Sequence, residues 1–525
     1  MRSYCVLLFA VLGCTAKPSY KSSAGSFSPT RLLFPLAGLK NWLTRRSSHA
    51  SDALLAGCTT KRLDQNPPLD SQITVQLFQW RYADVAHECE AFLGPNGYRY
   101  VQISPPHEHI QGPQWWTDYQ PVSYRIASKR GSETEFDAMI DRCARAGVGV
   151  IADVVLNHMS AGSPTENHRG SGGSSYRKYE YPNLYMRKNF HQCRKRGTLQ
   201  INNYMDRYDL RHFDDWVIER VQNCELVGLA DLKTSQRQVQ SALNEYLTRL
   251  VDKRVSGFRI DAAKHIPASD LLNILKLVPV RVVQEVMYAG GEPIRPEEYS
   301  PIGRVHIFQA AYDLKRMFLS DGIAYLGHPV PWGPQWGDGY LSSQIFVTNW
   351  DLERNGHGLR ITEKAGSYLL CQVFILTWGY GQVDVFSGYN FTNYDDGPED
   401  PVAQCGRFGW RCEHRHPMVV GAIQLGTAAA GEPVQNVVTS GTQRLAYSRG
   451  SKVFVALNNA DSDWTLQDVV VGLPMPTSPG GAYRNLLHPS ANGQQVHLVL
   501  DPASGVTRLC PITIPPQSAI GIMVL

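Results

Sequence analysis

Three observations predict an α/β fold, a (β/α)8 TIM barrel with an irregular inserted domain and a C-terminal all-β domain. From about residue 71, short apolar strands alternate with segments of helical spacing. Between about residues 157 and 231 that rhythm fails, and after about residue 433 only strands remain. Strand–helix alternation argues for a parallel sheet joined by crossover helices.

The elements follow in order. Residues 73–78 are β-rich. Residues 89–93 begin a helix that stops at Gly94-Pro95-Asn96-Gly97, and residues 100–104 form a second strand broken by Pro105-Pro106. Residues 136–146 have helical spacing with a Gly147 stop, and residues 148–155 read as a buried strand. Further strands are expected at 257–261, 280–285, 305–309 and 345–349. Each ends in polar or charged residues, and the C-terminal rim of a barrel is where such a fold places its chemistry. The stretch 157–231, rich in Gly, Ser, Asn, Tyr and Arg, is too long for an ordinary loop. It reads as a small domain inserted after the third strand, dividing the barrel into 71–156 and 232–432. In 433–525, strands at 444–448, 453–458, 496–500 and 520–524 are separated by Gly, Pro and Asn turns and predict a β-sandwich.

Composition is that of an ordinary globular protein: 43% hydrophobic and 19% charged over 525 residues, enough for one large core and a smaller domain. A formal charge of +4 does not argue for nucleic acid or an acidic membrane surface as partner. Arg2, the following short apolar run and small residues around Ala16 read as a signal peptide over 1–16. Residues 17–70, rich in Ser, Lys, Arg and Pro, read as a propeptide, a linker or the second half of a bipartite leader of plastid type. Secretion or the endomembrane system is therefore expected. Eleven cysteines include Cys5 and Cys14 in the leader. In an oxidising compartment Cys405 with Cys412 could close a small loop, and Cys89 with Cys143 and Cys193 with Cys224 are candidate longer staples. Asn390-Phe391-Thr392 is an N-glycosylation sequon.

Three carboxylates stand at the ends of three expected strands: Asp261 after Gly257-Phe258-Arg259-Ile260, Glu285 after Val282-Val283-Gln284, and Asp351 after Thr348-Asn349-Trp350. One such acid is often a cap or an ion-pair partner. Three on one barrel face repel and raise one another's proton affinity, which costs stability and serves acid–base work. A retaining glycosidase needs two carboxyls about 5–5.5 Å apart, one as nucleophile and one as general acid/base. Arg259, on the same strand face as Asp261, is placed to orient that nucleophile.

Four segments resemble the signature regions of the α-amylase family of glycoside hydrolases: Asp153-Val-Val-Leu-Asn157-His158, Gly257-Phe-Arg-Ile-Asp261-Ala-Ala-Lys264-His265, Gln284-Glu285-Val286 and Phe346-Val-Thr-Asn-Trp-Asp351. They occur in the family's order. With Ser104-Pro105-Pro106, Trp115-Trp116-Thr-Asp-Tyr119-Gln120-Pro121, Leu226-Val-Gly-Leu-Ala-Asp231 and Cys412-Glu-His-Arg, the resemblance covers about residues 71–525 and points to the animal and actinobacterial type. It implies retaining endo-hydrolysis of α-1,4-glucosidic bonds in starch- or glycogen-type substrate by a monomer. Asp261 would be nucleophile, Glu285 general acid/base and Asp351 transition-state stabiliser. His158, Lys264 and His265 would line the cleft, and Trp115, Trp116 and Tyr119 would stack on glucose rings beside Gln120.

The resemblance also implies calcium between barrel and inserted domain. Its ligands would be the side chains of Asn157 and Asp231 and the backbone carbonyls of Gln222 and His265, hard oxygen donors that suit this cation. Gln222 stands where the family's animal members have Arg. Trp350 replaces the family's His before the third carboxylate and removes a hydrogen bond to substrate. Of the positions that bind an activating chloride in many animal members, Arg259 and Asn349 match, but the second basic position aligns with Asp384. Chloride-independent activity is therefore expected. Two competing readings are a related α-glucosidase or transglycosylase, separable by product lengths, and a catalytically impaired glucan-binding protein.

Overall fold

The computed structural model describes residues 72–193, 203–204, 215–288, 292–327, 332–333, 342–477, 481–488, 490 and 493–524. The expected signal peptide and the segment 17–70 lie outside them.

Eight parallel strands close a barrel: β1 (Thr74–Leu77), β2 (Tyr100–Ile103), β3 (Gly149–Val155), β4 (Gly257–Asp261), β5 (Arg281–Gln284), β6 (Arg304–His306), β7 (Ser343–Phe346) and β8 (Gln382–Ser387). β1 pairs with both β2 and β8, which completes the cylinder. Outward residues such as Val75, Val101, Phe258 and Ile345 join the main apolar core. Inward positions carry polar groups that satisfy one another. Asp384 on β8 accepts from Gln76 (3.0 Å) and Gln344 (2.6 Å), with His306 Nε2 2.8 Å away. This is why β8 carries no plain apolar signature in the sequence, where it went unpredicted: its inward residues are Gln382 and Asp384.

The helices are α1 (Tyr82–Glu88), α2 (Glu133–Arg145), α3 (Asp215–Asn223), α4 (Arg237–Asp252), α5 (Ala268–Leu275), α6 (Phe308–Arg316), α7 (Trp350–Asn355), α8 (Ala365–Trp378) and α9 (Pro417–Ala428). A Ser132/Glu135 capping box opens α2, with acids in its first turn and arginines in its last, complementing the helix dipole. The helix expected to begin at Cys89 begins at Tyr82. Tyr82, Val85, Ala86 and Cys89 form one buried face at helical spacing before the helix widens over Cys89–Leu93. The strand expected over 305–309 ends at His306, because Phe308, Ala311 and Leu314 are the buried face of α6. The strand expected over 345–349 leaves the sheet after Phe346, and Asn349 caps α7 by accepting from the Leu352 N–H at 2.9 Å. Among the described residues no helix is long and apolar enough to cross a membrane.

Among its described residues, the inserted segment between β3 and α4 holds short strands, a helical turn at Arg187–Asn189, α3 and an aromatic cluster of Tyr179, Tyr181, Tyr185 and Phe190. Disulfides join Cys193 to Cys224, Cys89 to Cys143 and Cys405 to Cys412, the three candidate pairs.

The C-terminal region is all strand: β9 (Val434–Thr439), β10 (Arg444–Arg449), β11 (Val453–Asn458), β12 (Trp464–Leu466), β13 (Ala482–Arg484), β14 (Gln495–Leu500), β15 (Thr507–Leu509), β16 (Ile512–Ile514) and β17 (Ser518–Met523). A four-stranded sheet runs β9-β10-β11-β17, and the rest form two smaller sheets. Alternation along β11 explains why all of it is buried. Val453, Val455 and Leu457 join the barrel's core, whereas Phe454 and Ala456 pack with Trp464, Val496 and Ile514 of the facing strands.

Candidate active site

The site is built around Arg259. On β4 the two-residue period puts Arg259 and Asp261 on one face, and the β3–β4 register sets Asp153 opposite Arg259. Arg259 Nη1 donates to Asp261 Oδ1 at 2.7 Å and to Asp153 Oδ1 at 2.9 Å. Its Nη2 lies 2.8 Å from Glu285 Oε1. One buried guanidinium thus meets three carboxyls. Glu285 is further fixed because the Ala262 N–H donates to its Oε2 at 2.8 Å. That donor is aimed by a left-handed Ala262 (φ 48°), a conformation that strains any residue with a Cβ. Tyr119 donates its hydroxyl to Asp153 Oδ2 at 2.9 Å. Asp261 and Glu285 keep 9% and 7% exposure, enough for a substrate atom to reach them at the barrel's mouth. Asp351 stands in the first turn of α7, beside the same cluster.

Four acids and one arginine at close quarters cannot all ionise freely. Burial outweighs Arg259 and pushes Asp153 up to about 6. Burial, then repulsion by Glu285, pushes Asp351 up to about 7. Asp261 is raised well above the carboxylate range by burial, with Arg259 pulling the other way. The cluster therefore retains dissociable protons near neutral pH and titrates as a unit. A carboxyl able to give a proton beside one able to attack is what glycosidic cleavage requires.

The other expected residues divide. Trp115 is buried at 6% exposure and Trp116 half-buried, so of the pair only Trp116 turns a broad surface outward. Trp115 spends its indole N–H on the Tyr394 carbonyl (2.8 Å). Gln120 accepts from the Ala161 N–H at 3.0 Å. His158, buried with Nε2 3.1 Å from the Tyr119 carbonyl, is pushed down to about 4 by burial and is neutral. His265 is likewise pushed down to about 4, chiefly by burial and then by Lys264. Lys264 donates to the Met287 carbonyl at 2.7 Å and pairs with Glu292. Trp350 lies flat on Phe78 at 4.8 Å and under the Arg259 guanidinium at 5.0 Å, so it packs against the arginine at the centre of the cluster.

The calcium set also converges. The Leu232 N–H donates to the Asn157 carbonyl at 2.9 Å, and His158 forms a bridge with Asp231. His265 Nδ1 lies 2.9 Å from the Val221 carbonyl, beside Gln222. Asp231 is buried, His191 Nδ1 lies 2.7 Å from its Oδ2, and its Oδ1 has no hydrogen-bond partner. An orphaned buried carboxylate oxygen is a donor of the kind that suits a hard cation. Among the described residues no three His, Cys, Asp or Glu side chains gather as ligands, so calcium here would rest on one carboxylate plus neutral oxygens.

Two charged partners of the site's residues escaped sequence reasoning. Asp153 was read only as the start of a motif, though an acid inside the apolar run of β3 is itself a signal. Glu292 gave none, since its partnership with Lys264 spans 28 residues.

Residues 103–284 match the family described as alpha amylase, catalytic domain, and residues 435–524 the alpha amylase, C-terminal all-beta domain. Over 434 residues the chain is 42% identical to an alpha-amylase of Streptomyces violaceus, covering 81% of this chain and 72% of that one. It is 34% identical over 469 residues to an alpha-amylase of the fish Oryzias latipes, covering 80% and 87%. The crystal structure of wild-type alpha-amylase I from Eisenia fetida shares its fold with a TM-score of 0.76 at 30% identity, over 87% of this chain and 98% of that one. With barrel, carboxyl cluster and C-terminal domain all accounted for, this chain belongs to the α-amylase family of glycoside hydrolases and cuts internal α-1,4-glucosidic bonds of glucans.

Proposed function

We propose that the enzyme works with retention of configuration, on Asp261, Glu285 and Asp351. The observation that carries this is the sharing of Arg259 by Asp261 and Glu285 through adjacent nitrogens of one guanidinium. That arrangement favours the short separation of a retaining pair over the ~6.5–9.5 Å of an inverting one. An Asp261 oxygen attacks the anomeric carbon as the glycosidic C–O bond breaks, and the Glu285 proton goes to the departing oxygen. Glu285, now a carboxylate, takes a proton from water, whose oxygen displaces Asp261 and restores both groups. Asp351 grips ring hydroxyls as positive charge builds at the anomeric centre. Trp116 offers the accessible stacking face, Trp115 and Tyr119 the wall beneath it, and Gln120, His158, Lys264 and His265 border the cleft.

Calcium, held by Asn157, Asp231 and the carbonyls of Gln222 and His265, would clamp the inserted domain to the barrel as a fixed positive charge. Turnover needs no chloride on this reading. Both Nη atoms of Arg259 are taken by carboxylates, Asn349 is spent as a helix cap, and Asp384 puts a carboxyl where an anion would need a base. The leader directs export, and the enzyme acts as a monomer on starch-type polysaccharide.

The test is hydrolysis of a blocked nitrophenyl maltoheptaoside by the full chain, with calcium and then with chelator, beside Glu285→Gln. Short maltooligosaccharides whose release falls with chelator, and a loss of ~10²–10⁴ in kcat in the variant, are expected. A product of inverted anomeric configuration by NMR, or unchanged hydrolysis by Glu285→Gln, would remove the mechanism.

A further inference from the structure

An aromatic file runs outward from the carboxyl cluster. Tyr119, bonded to Asp153, lies 6.0 Å from the Trp115 ring, and Trp115 lies 5.9 Å from the Tyr394 ring. The first two are buried, but Tyr394 is 43% exposed. Its loop, which follows β8, is built to hold that ring still. The Tyr394 carbonyl accepts from the Trp115 indole at 2.8 Å and from Arg354 Nε at 3.2 Å. Asp395 Oδ1 accepts from the Trp116 indole at 2.9 Å, and Asp396 Oδ2 accepts the backbone N–H of Asn393 at 2.6 Å. At Gly397 the two loops approach so closely that a Cβ would lie 2.2 Å from the Pro113 carbonyl oxygen. A ring set against Trp115, on an anchored backbone and 43% exposed, suits a ligand with a flat apolar face better than it suits open water.

We propose that Tyr394 is an additional sugar-stacking position, a distal subsite that receives a glucose ring of the same glucan chain several units from the bond being cut. It rests on the hydrolytic reading above and deepens it. Trp116, the stacking residue proposed above, is tied through its indole to Asp395, the residue next to Tyr394, and the C–H face of a pyranose matches a tyrosine ring as it does tryptophan. A subsite so far from scission contributes only when the substrate is long enough to reach it. Short substrates therefore leave it empty, and length preference is its signature.

The experiment compares the full chain with Tyr394→Ala and Tyr394→Phe on nitrophenyl maltotrioside and on the blocked maltoheptaoside. Calorimetric titration with maltoheptaose and maltotriose runs alongside. Tyr394→Ala should raise KM for the heptaoside by about three- to tenfold, the range of one ring contact, and leave the trioside untouched. Tyr394→Phe should stay near wild type. An equal change on both lengths would mean a general structural effect, and no change on either would mean an idle ring; each overturns the proposal. Because the titration reads binding alone, selective loss of maltoheptaose affinity supports the subsite even if hydrolysis fails. Unchanged affinity for maltoheptaose sinks it even if hydrolysis succeeds.

Discussion

Replacing Asp153 with Asn should make the protein more stable at neutral pH and much less active. The Asp153 carboxyl is raised from 3.8 to about 6 because burial outweighs the pull of Arg259. A raised value means the folded protein keeps a proton that the unfolded chain has released. Stability therefore falls as pH climbs from about 4 to about 6, and the full penalty persists above that window. At 1.36 kcal/mol for each tenfold change in proton affinity, keeping this group ionised at pH 7 costs about 3 kcal/mol. Asn has the shape of the protonated acid and still offers Arg259 an oxygen. For a folded unit as large as Pro67–Leu525, relief of that cost raises the unfolding midpoint by roughly 3 °C. Scanning calorimetry of both proteins from pH 4 to pH 8 at fixed calcium reads the difference, to which Asp261 and Asp351 contribute in the same direction because Asp153 raises both. The gap should be near zero at pH 4 and reach its full size above pH 6. Turnover on maltoheptaoside should fall about 100-fold, because Arg259 loses the partner that aims it at Asp261 and Glu285. A variant less stable than wild type at pH 7, or a gap that does not change with pH, would show that Asp153 is a stabilising ion-pair partner and refute the reasoning.

The remaining predictions concern the departures from the family. Asp231→Asn should remove at least half of the calcium-induced rise in unfolding midpoint, measured by calorimetry with calcium and with chelator; an undiminished rise would move the cation elsewhere. Adding chloride to dialysed enzyme at constant ionic strength should leave kcat unchanged, and a several-fold increase would contradict the reading of Asp384. Trp350→His should cost about 2 kcal/mol, seen as a lower unfolding midpoint, through loss of the flat contact on Phe78 and the cover over Arg259. Its turnover should fall, and a gain would show that the missing histidine matters more than the packing.

What the sequence made legible is what local chemistry writes into it. Asp261 and Glu285 could be read because each follows a short apolar run, whereas Asp351, expected at a strand end, stands in the first turn of α7. The eighth strand could not be read this way. Its inward residues are polar because distant partners wait for them: Gln76, Gln344 and His306 for Asp384, and Gln72 and Arg281 for Gln382, from segments up to 310 residues away in the chain. The same reason hid Asp153, whose meaning depends on a register with Arg259 that only the closed sheet creates. Tyr394 looks like any loop tyrosine until the Trp115 loop is seen against it, 279 residues apart. In each case the informative fact is a pairing between distant segments, and burial makes such a pairing chemically consequential. An acid that would be an ordinary solvated carboxylate on the surface becomes, buried inside the barrel and against the opposing pull of Arg259, a group poised to hold a proton near neutral pH.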